Sequence, residues 1–250
     1  MVTHFIIMAS AYSIGKRVAL EYVINEKQTL SSVKNVLDYI TKQCGADVPI
    51  STHTIITESE TWDSVYQKDA FFKNAILVEK KERFIQLLMA DRKLYGLDVA
   101  KYILASVSCT HLKLEKLTYL CYADYLCDEN KKLFEDRIFA YKYGPVVETV
   151  YENYKKSGVD SLKLEDDTKE YTLEDKIGPT RSRIIASENG MQKLSSIDRT
   201  LAKYGSLSAN DLVKLTHKYN TPWNKSGAGE YENLEISDNK ILKYHQNESI

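Results

Sequence analysis

The sequence predicts a mainly α-helical protein in which a small α/β (α+β) N-terminal unit, residues 1–90, precedes a helical domain, residues 91–250. Three observations predict this. Apolar residues recur at helical spacing through most of the chain after residue 90, above all in residues 111–158. Short β-branched and apolar runs cluster near the start, at residues 5–9 and 51–57. Helix caps and stops, such as Ser208 with Asp211, Gly205 and Pro222, punctuate the second part at helix-sized intervals.

A chain of 250 residues, 43% of them hydrophobic, can bury a substantial core as one large domain or two small ones. The formal net charge of −1 supplies no general excess of cations to neutralise a phosphate backbone, so nucleic-acid binding is not expected. Eighteen tyrosines against six phenylalanines favour half-buried faces and protein-binding surfaces, because tyrosine pairs an apolar body with a polar tip. The four cysteines contain no Cys-x-x-Cys pair and read as small buried thiols. The apolar run at residues 5–9 lacks a basic leader and is too short for a signal or membrane segment, so a cytoplasmic location is expected.

Taken in order, residues 5–9 read as a short buried strand and residues 12–24 as a weak helical stretch. Gly15-Lys16-Arg17 lacks the glycine spacing and hydroxyl residue of a phosphate loop. A helix opens at Ser31 or Ser32, carries Val33, Val36, Leu37 and Ile40 on one face, and ends at Gly45. Residues 51–57 form a second strand, a helix follows Trp62, and residues 74–79 read equally as helix or as a third strand. Phe84, Leu87, Leu88 and Leu94 mark a further helix stopped by Gly96, and Asp98 caps the next.

The central element is the helix over residues 111–128, whose lines Leu114, Leu117, Cys121 and Leu120, Ala123, Cys127 make a wide apolar face. Pro145 is read as the first residue of the following helix, with Val147, Val150, Tyr151 and Tyr154 on its inner side. Residues 159–178 hold seven Asp or Glu against three Lys and read as a charged excursion. Residues 184–186 read as a short strand, residues 191–204 as a helix, and Ser208 opens a helix reaching His217. Trp223 is placed to fold back over it, a last helix starts near Ser237, and residues 246–250 read as frayed.

Three separated motifs, in this order, resemble the SocA-like antitoxin family, or Panacea domain. They are Leu114-Glu115-Lys116-Leu117 with Tyr119; Ala140-Tyr141-Lys142-Tyr143-Gly144-Pro145-Val146; and Thr216-His217 with Pro222-Trp223. The likeness runs over about residues 94–243, and none is seen in the N-terminal unit, whose role is not read. It implies a helical scaffold that binds a co-encoded toxin and neutralises it directly, or that delivers it as an adaptor to a cytoplasmic protease.

The residues themselves point to no catalytic, cofactor-binding or metal-ligating set, and the protein is read as a non-enzyme. A cysteine enzyme built on Cys109 with His111, or on a cysteine with His217, lacks a nucleophile motif and an orienting third residue. His217, at a helix C-terminus whose dipole favours the protonated ring, reads as a structural clamp. Tyr143, Tyr151 and Trp223 are the partner-binding candidates, because large aromatics crowd one turn. Leu117, Tyr119, Gly144, Pro145, Val146, Thr216, His217 and Pro222 are the structural motif. The alternative from another class is a phage or mobile-element inhibitor of a host defence enzyme.

Overall fold

The opening residues extend as a ten-residue strand, β1 (Val2–Ala11), which turns through a 3-10 segment and Gly15 into β2 (Lys16–Ile24) in the computed structural model. Residues 1–25, 30–157, 162, 177–227 and 233–249 are described. The hairpin pairs Ala11 with Lys16 and Thr3 with Ile24, so the helix expected over residues 12–24 is a strand. Gly15 sits at φ +60°, the left-handed conformation that glycine adopts without a Cβ penalty. Val18, Ala19 and Leu20 are all buried because the sheet is covered on both faces.

That cover comes from the elements that follow. In α1 (Leu30–Cys44), Val33 and Ile40 are buried, and the Gly45 N–H closes the helix on the Thr41 carbonyl. Strand β3 (Ser51–Thr57) pairs antiparallel with β1. Then come α2 (Trp62–Lys68), β4 (Ala75–Leu77), which settles residues 74–79 as a strand parallel to β2, and α3 (Lys81–Arg92). The strand order is β3-β1-β2-β4. Alternation along β1 sends Ile7, Ala9 and Ala11 into a core with Ile40, Phe84 and Leu88 of α1 and α3, and Ile6 and Met8 into one with Val65 and Phe72.

The chain divides into two compact units, Met1–Lys93 with Ala186–Glu188, and Leu94–Ile185 with Asn189–Ile250. Gly96 does not stop α3, which ends at Arg92; it opens α4 (Gly96–Ser106). A Cβ there would lie 2.7 Å from Val147 Cγ1, so the glycine is needed for close packing, and its N–H reaches Asp136 Oδ2 at 2.6 Å. Asp98 caps α4 from inside, accepting the Tyr95 N–H at 3.0 Å.

Helix α5 (His111–Glu129) is the axis of this unit, with every residue from Leu114 to Ala123 buried. Thr110 caps it and Asn130, at φ 52°, ends it. Strand β5 (Ile138–Tyr141) pairs antiparallel with β6 (Gly144–Val147), and α6 (Glu148–Tyr154) begins only after it. Pro145 is therefore a strand residue and not the first residue of a helix. It faces Ala140 on β6, an outer strand of the sheet, where a residue with no N–H to donate is tolerated.

Helix α7 (Ile177–Ala186) takes in residues 184–186, expected as a strand; Pro179 fits its first turn, and Ile184 is fully buried in the core of the helical unit. After α8 (Gly190–Tyr204) comes α9 (Ala209–Thr216), capped by the Ser208 side chain accepting the Asp211 N–H. β7 (Leu234–Glu235) joins β5 to give the order β6-β5-β7, and α10 (Asp238–Tyr244) packs on α5. Strands thus occur at 138–147 and 234–235, where none was expected.

The acidic stretch 159–178 lies outside the described residues except for positions 162, 177 and 178, as does Gly229. The fold is mainly α with an α/β N-terminal unit, as expected, with ten α-helices among the described residues. None of these is long and apolar enough to cross a membrane.

Candidate partner-binding site at the β5–β6 turn

A helix buried on every side must satisfy its own polar groups, and the first half of α5 does so by reading the backbone of β6. Glu115 Oε2 accepts the Val147 N–H at 3.1 Å, and the next residue, Lys116, donates its ammonium to the Pro145 carbonyl. Lys116 has no exposed surface. Burial lowers its pKa to about 8 against the opposing pull of Glu115 and Glu248, so it remains mostly charged at neutral pH.

Gly144, at φ +107°, is the point where three elements meet. A Cβ would sit 2.9 Å from Lys116 Cε and 3.0 Å from Thr216 Oγ1, so only glycine lets α5 and the end of α9 close on the turn. Thr216 donates its hydroxyl back to Leu212 and Val213, each at 3.1 Å, and its carbonyl takes the Thr221 hydroxyl at 2.8 Å. The buried Pro222 accepts the Ser226 hydroxyl at 2.8 Å. Leu117, Tyr119 and Val146 are likewise buried, so nearly all of the motif residues lie in the interior.

The aromatic candidates divide. Trp223 stacks on His217 and donates its indole N–H to the Tyr141 carbonyl at 2.8 Å. Tyr151 packs between Tyr141, at 4.9 Å, and His111, at 5.5 Å. Tyr143 is 60% exposed at the tip of the turn. His217 departs from expectation: burial first and the Lys116 cation second hold its pKa down at about 4, outweighing the helix terminus. It clamps as a neutral ring, and its Nε2 has no hydrogen-bond partner among the described residues.

Cys109 is buried, and burial pushes its thiol up to about 11, far from a reactive thiolate. His111 lies 3.3 Å from Glu115 Oε1 and against Tyr151. Cys121 and Cys44 are buried but Cys127 is exposed, which corrects the expectation for that thiol. Among the described residues no group of three or more His, Cys, Asp or Glu is arranged to hold a metal.

Sequence reasoning missed a second polar network on α5. His245 lies 2.7 Å from both Asp124 and Glu248, Tyr119 donates its hydroxyl to Glu248 at 2.8 Å, and the Thr200 hydroxyl reaches Asp124 at 2.7 Å. Residues 246–248 are therefore not frayed: Glu248 is fully buried. The one signal in the sequence was Asp124, an acidic residue within the apolar stretch 120–126.

Residues 114–224 match the family model described as "Antitoxin SocA-like, Panacea domain". Over 130 residues the chain is 27% identical to Antitoxin SocA of Caulobacter vibrioides (strain NA1000 / CB15N), an alignment covering 51% of this chain and 65% of the relative. The chain thus spans just under two thirds of that relative's length. No solved structure matches. The matched segment takes in α5 from Leu114 onward, the β5–β6 turn and Trp223, so residues 114–224 of this protein are similar to the SocA-like Panacea domain.

Proposed function

We propose that this protein is an antitoxin that neutralises a co-encoded toxin by direct protein–protein contact, using the surface around the β5–β6 turn and the loop after α9. The observation that carries this reading is the division of the motif. Its buried members are fixed in the interior, Lys116 bonded to the Pro145 carbonyl, Thr216 to Leu212 and Val213, and Gly144 packed against Lys116 and Thr216, while Tyr143 projects beside them. A rigid frame with an exposed aromatic is what a binding hot spot needs, since tyrosine supplies contact area at low entropic cost. The likeness to Antitoxin SocA supports the class of partner.

In this reading Tyr143 touches the toxin, while Tyr151 and Trp223 hold the turn from behind. The protein acts stoichiometrically, inside the cell, with no cofactor. Co-expression with the neighbouring reading frame tests it. Growth is expected to be restored, with a one-to-one complex on copurification and an unchanged toxin half-life. A shortened half-life would replace occlusion with protease delivery. Failure to restore growth, or copurification with a nuclease of the host and no neighbouring product, would overturn the reading in favour of a defence-enzyme inhibitor.

A further inference from the structure

We infer that the surface around Tyr143 receives an acidic, aspartate- and glutamate-rich face of a protein partner; this rests on the reading of that surface as the partner-binding one. The observation is a repeated pairing of lysine with tyrosine. Lys142 lies 5.4 Å from the Tyr143 ring, Lys225 lies 5.3 Å from Tyr219 and 5.8 Å from Tyr244, and Lys243 lies 5.2 Å from Tyr244. Tyr143 and Tyr219 are 60% and 79% exposed.

Neither ring is there to fill the core, and each carries a cation. The loop bearing Tyr219 and Lys225 is tied to β5 by the Trp223 bond to Tyr141, so the two pairs belong to one region of the helical unit. Lys142, Lys225 and Lys243 make no ion pair among the described residues, whereas Lys155 and Lys214 are engaged by Glu152 and Asp211. The surface thus offers uncompensated ammonium groups held over aromatic faces. A tyrosine ring restrains the lysine it carries, and a carboxylate approaching the ammonium completes a charge-assisted contact.

A protein fits better than a nucleic acid. The three cations are lysines on separate segments of the chain, and the whole chain carries a net charge of −1. A phosphate backbone needs a continuous cationic track, while discrete carboxylates on a folded partner need only matched positions.

Fluorescence anisotropy of the full chain tests this with three probes. They are a labelled peptide repeating Glu-Asp-Gly-Tyr, its Gln-Asn-Gly-Tyr counterpart, and an oligothymidylate of similar length. The acidic peptide is expected to bind about 10-fold more tightly than the amide peptide, and this preference should vanish on Lys142→Glu with Lys225→Glu at unchanged melting temperature. Equal binding of the two peptides, or a preference untouched by the charge reversals, would overturn the inference. Tighter binding of the oligothymidylate would do the same by making the surface a nucleic-acid site. Growth rescue by the same double variant separates the two readings. Rescue retained would overturn this inference while leaving the antitoxin reading standing. Absence of rescue by the unaltered chain, with the acidic preference intact, would overturn the antitoxin reading alone.

Discussion

The indole of Trp223 lies face to face on the imidazole of His217, ring centroids 3.6 Å apart and planes inclined by 5°. With its N–H on the Tyr141 carbonyl, this one side chain joins the end of α9 to β5. Trp223→Ala is expected to cost about 3 kcal/mol, and Trp223→Phe, which keeps a ring to stack but loses the hydrogen bond, about 1 kcal/mol. Urea denaturation of the two variants checks the ranking. Because the folded His217 pKa is lowered to about 4 from 6.5, its stabilising contribution is present above pH 6.5 and is lost as pH falls through 4.

Gly144→Ala places a methyl group against Lys116 and Thr216 in a backbone conformation that disfavours side chains. A loss of about 2–4 kcal/mol is expected from backbone strain and overpacking together. Gly15→Ala, also at positive φ but with nothing within 4 Å of the added atom, is the control. It should lose only the strain share, and thermal melting of both variants would show the difference.

His245 gives a pH signature of opposite sign. Burial alone would lower its pKa, but Asp124 and Glu248 outweigh burial and raise it to about 9. Its contribution, about 3 kcal/mol from the size of the shift, is full below pH 6.5 and disappears as pH rises through 9. His245→Gln should remove the decline in stability across pH 6.5–9. Chemical denaturation at several pH values measures it, and an unchanged slope would place the decline elsewhere.

We further propose that the helical unit folds alone. A fragment beginning at Leu94 should melt cooperatively, since α4, α5 and α9 carry their own caps and α5 its own core. A fragment that is molten by near-ultraviolet circular dichroism would refute this.

The helical core was legible because α5 and α8 keep apolar residues at helical spacing over many turns. β2 was not, since Val18-Ala19-Leu20, buried on both faces, is a continuous apolar run that periodicity cannot tell from a helix. At Pro145 the local helix-start signal lost to strand pairing with β5, a contact set by tertiary structure. The polar interior was the least legible part. Glu248 meets Tyr119 across 129 positions, and nothing local to a polar C-terminus predicts that. Glu115 and Lys116, adjacent charges on an apolar helix, were visible, but not the backbone groups they satisfy.

The central claim, that the motif residues hold a frame whose exposed tyrosines meet the partner, is tested most directly by Tyr143→Ala with Tyr219→Ala. Melting temperature and rescue of toxin-expressing cells would be measured on the same variant. Stability is expected to change by no more than about 0.5 kcal/mol, while binding weakens by more than about 1 kcal/mol and rescue falls. Full rescue by a stable double variant, or rescue lost only in step with stability, would contradict the account.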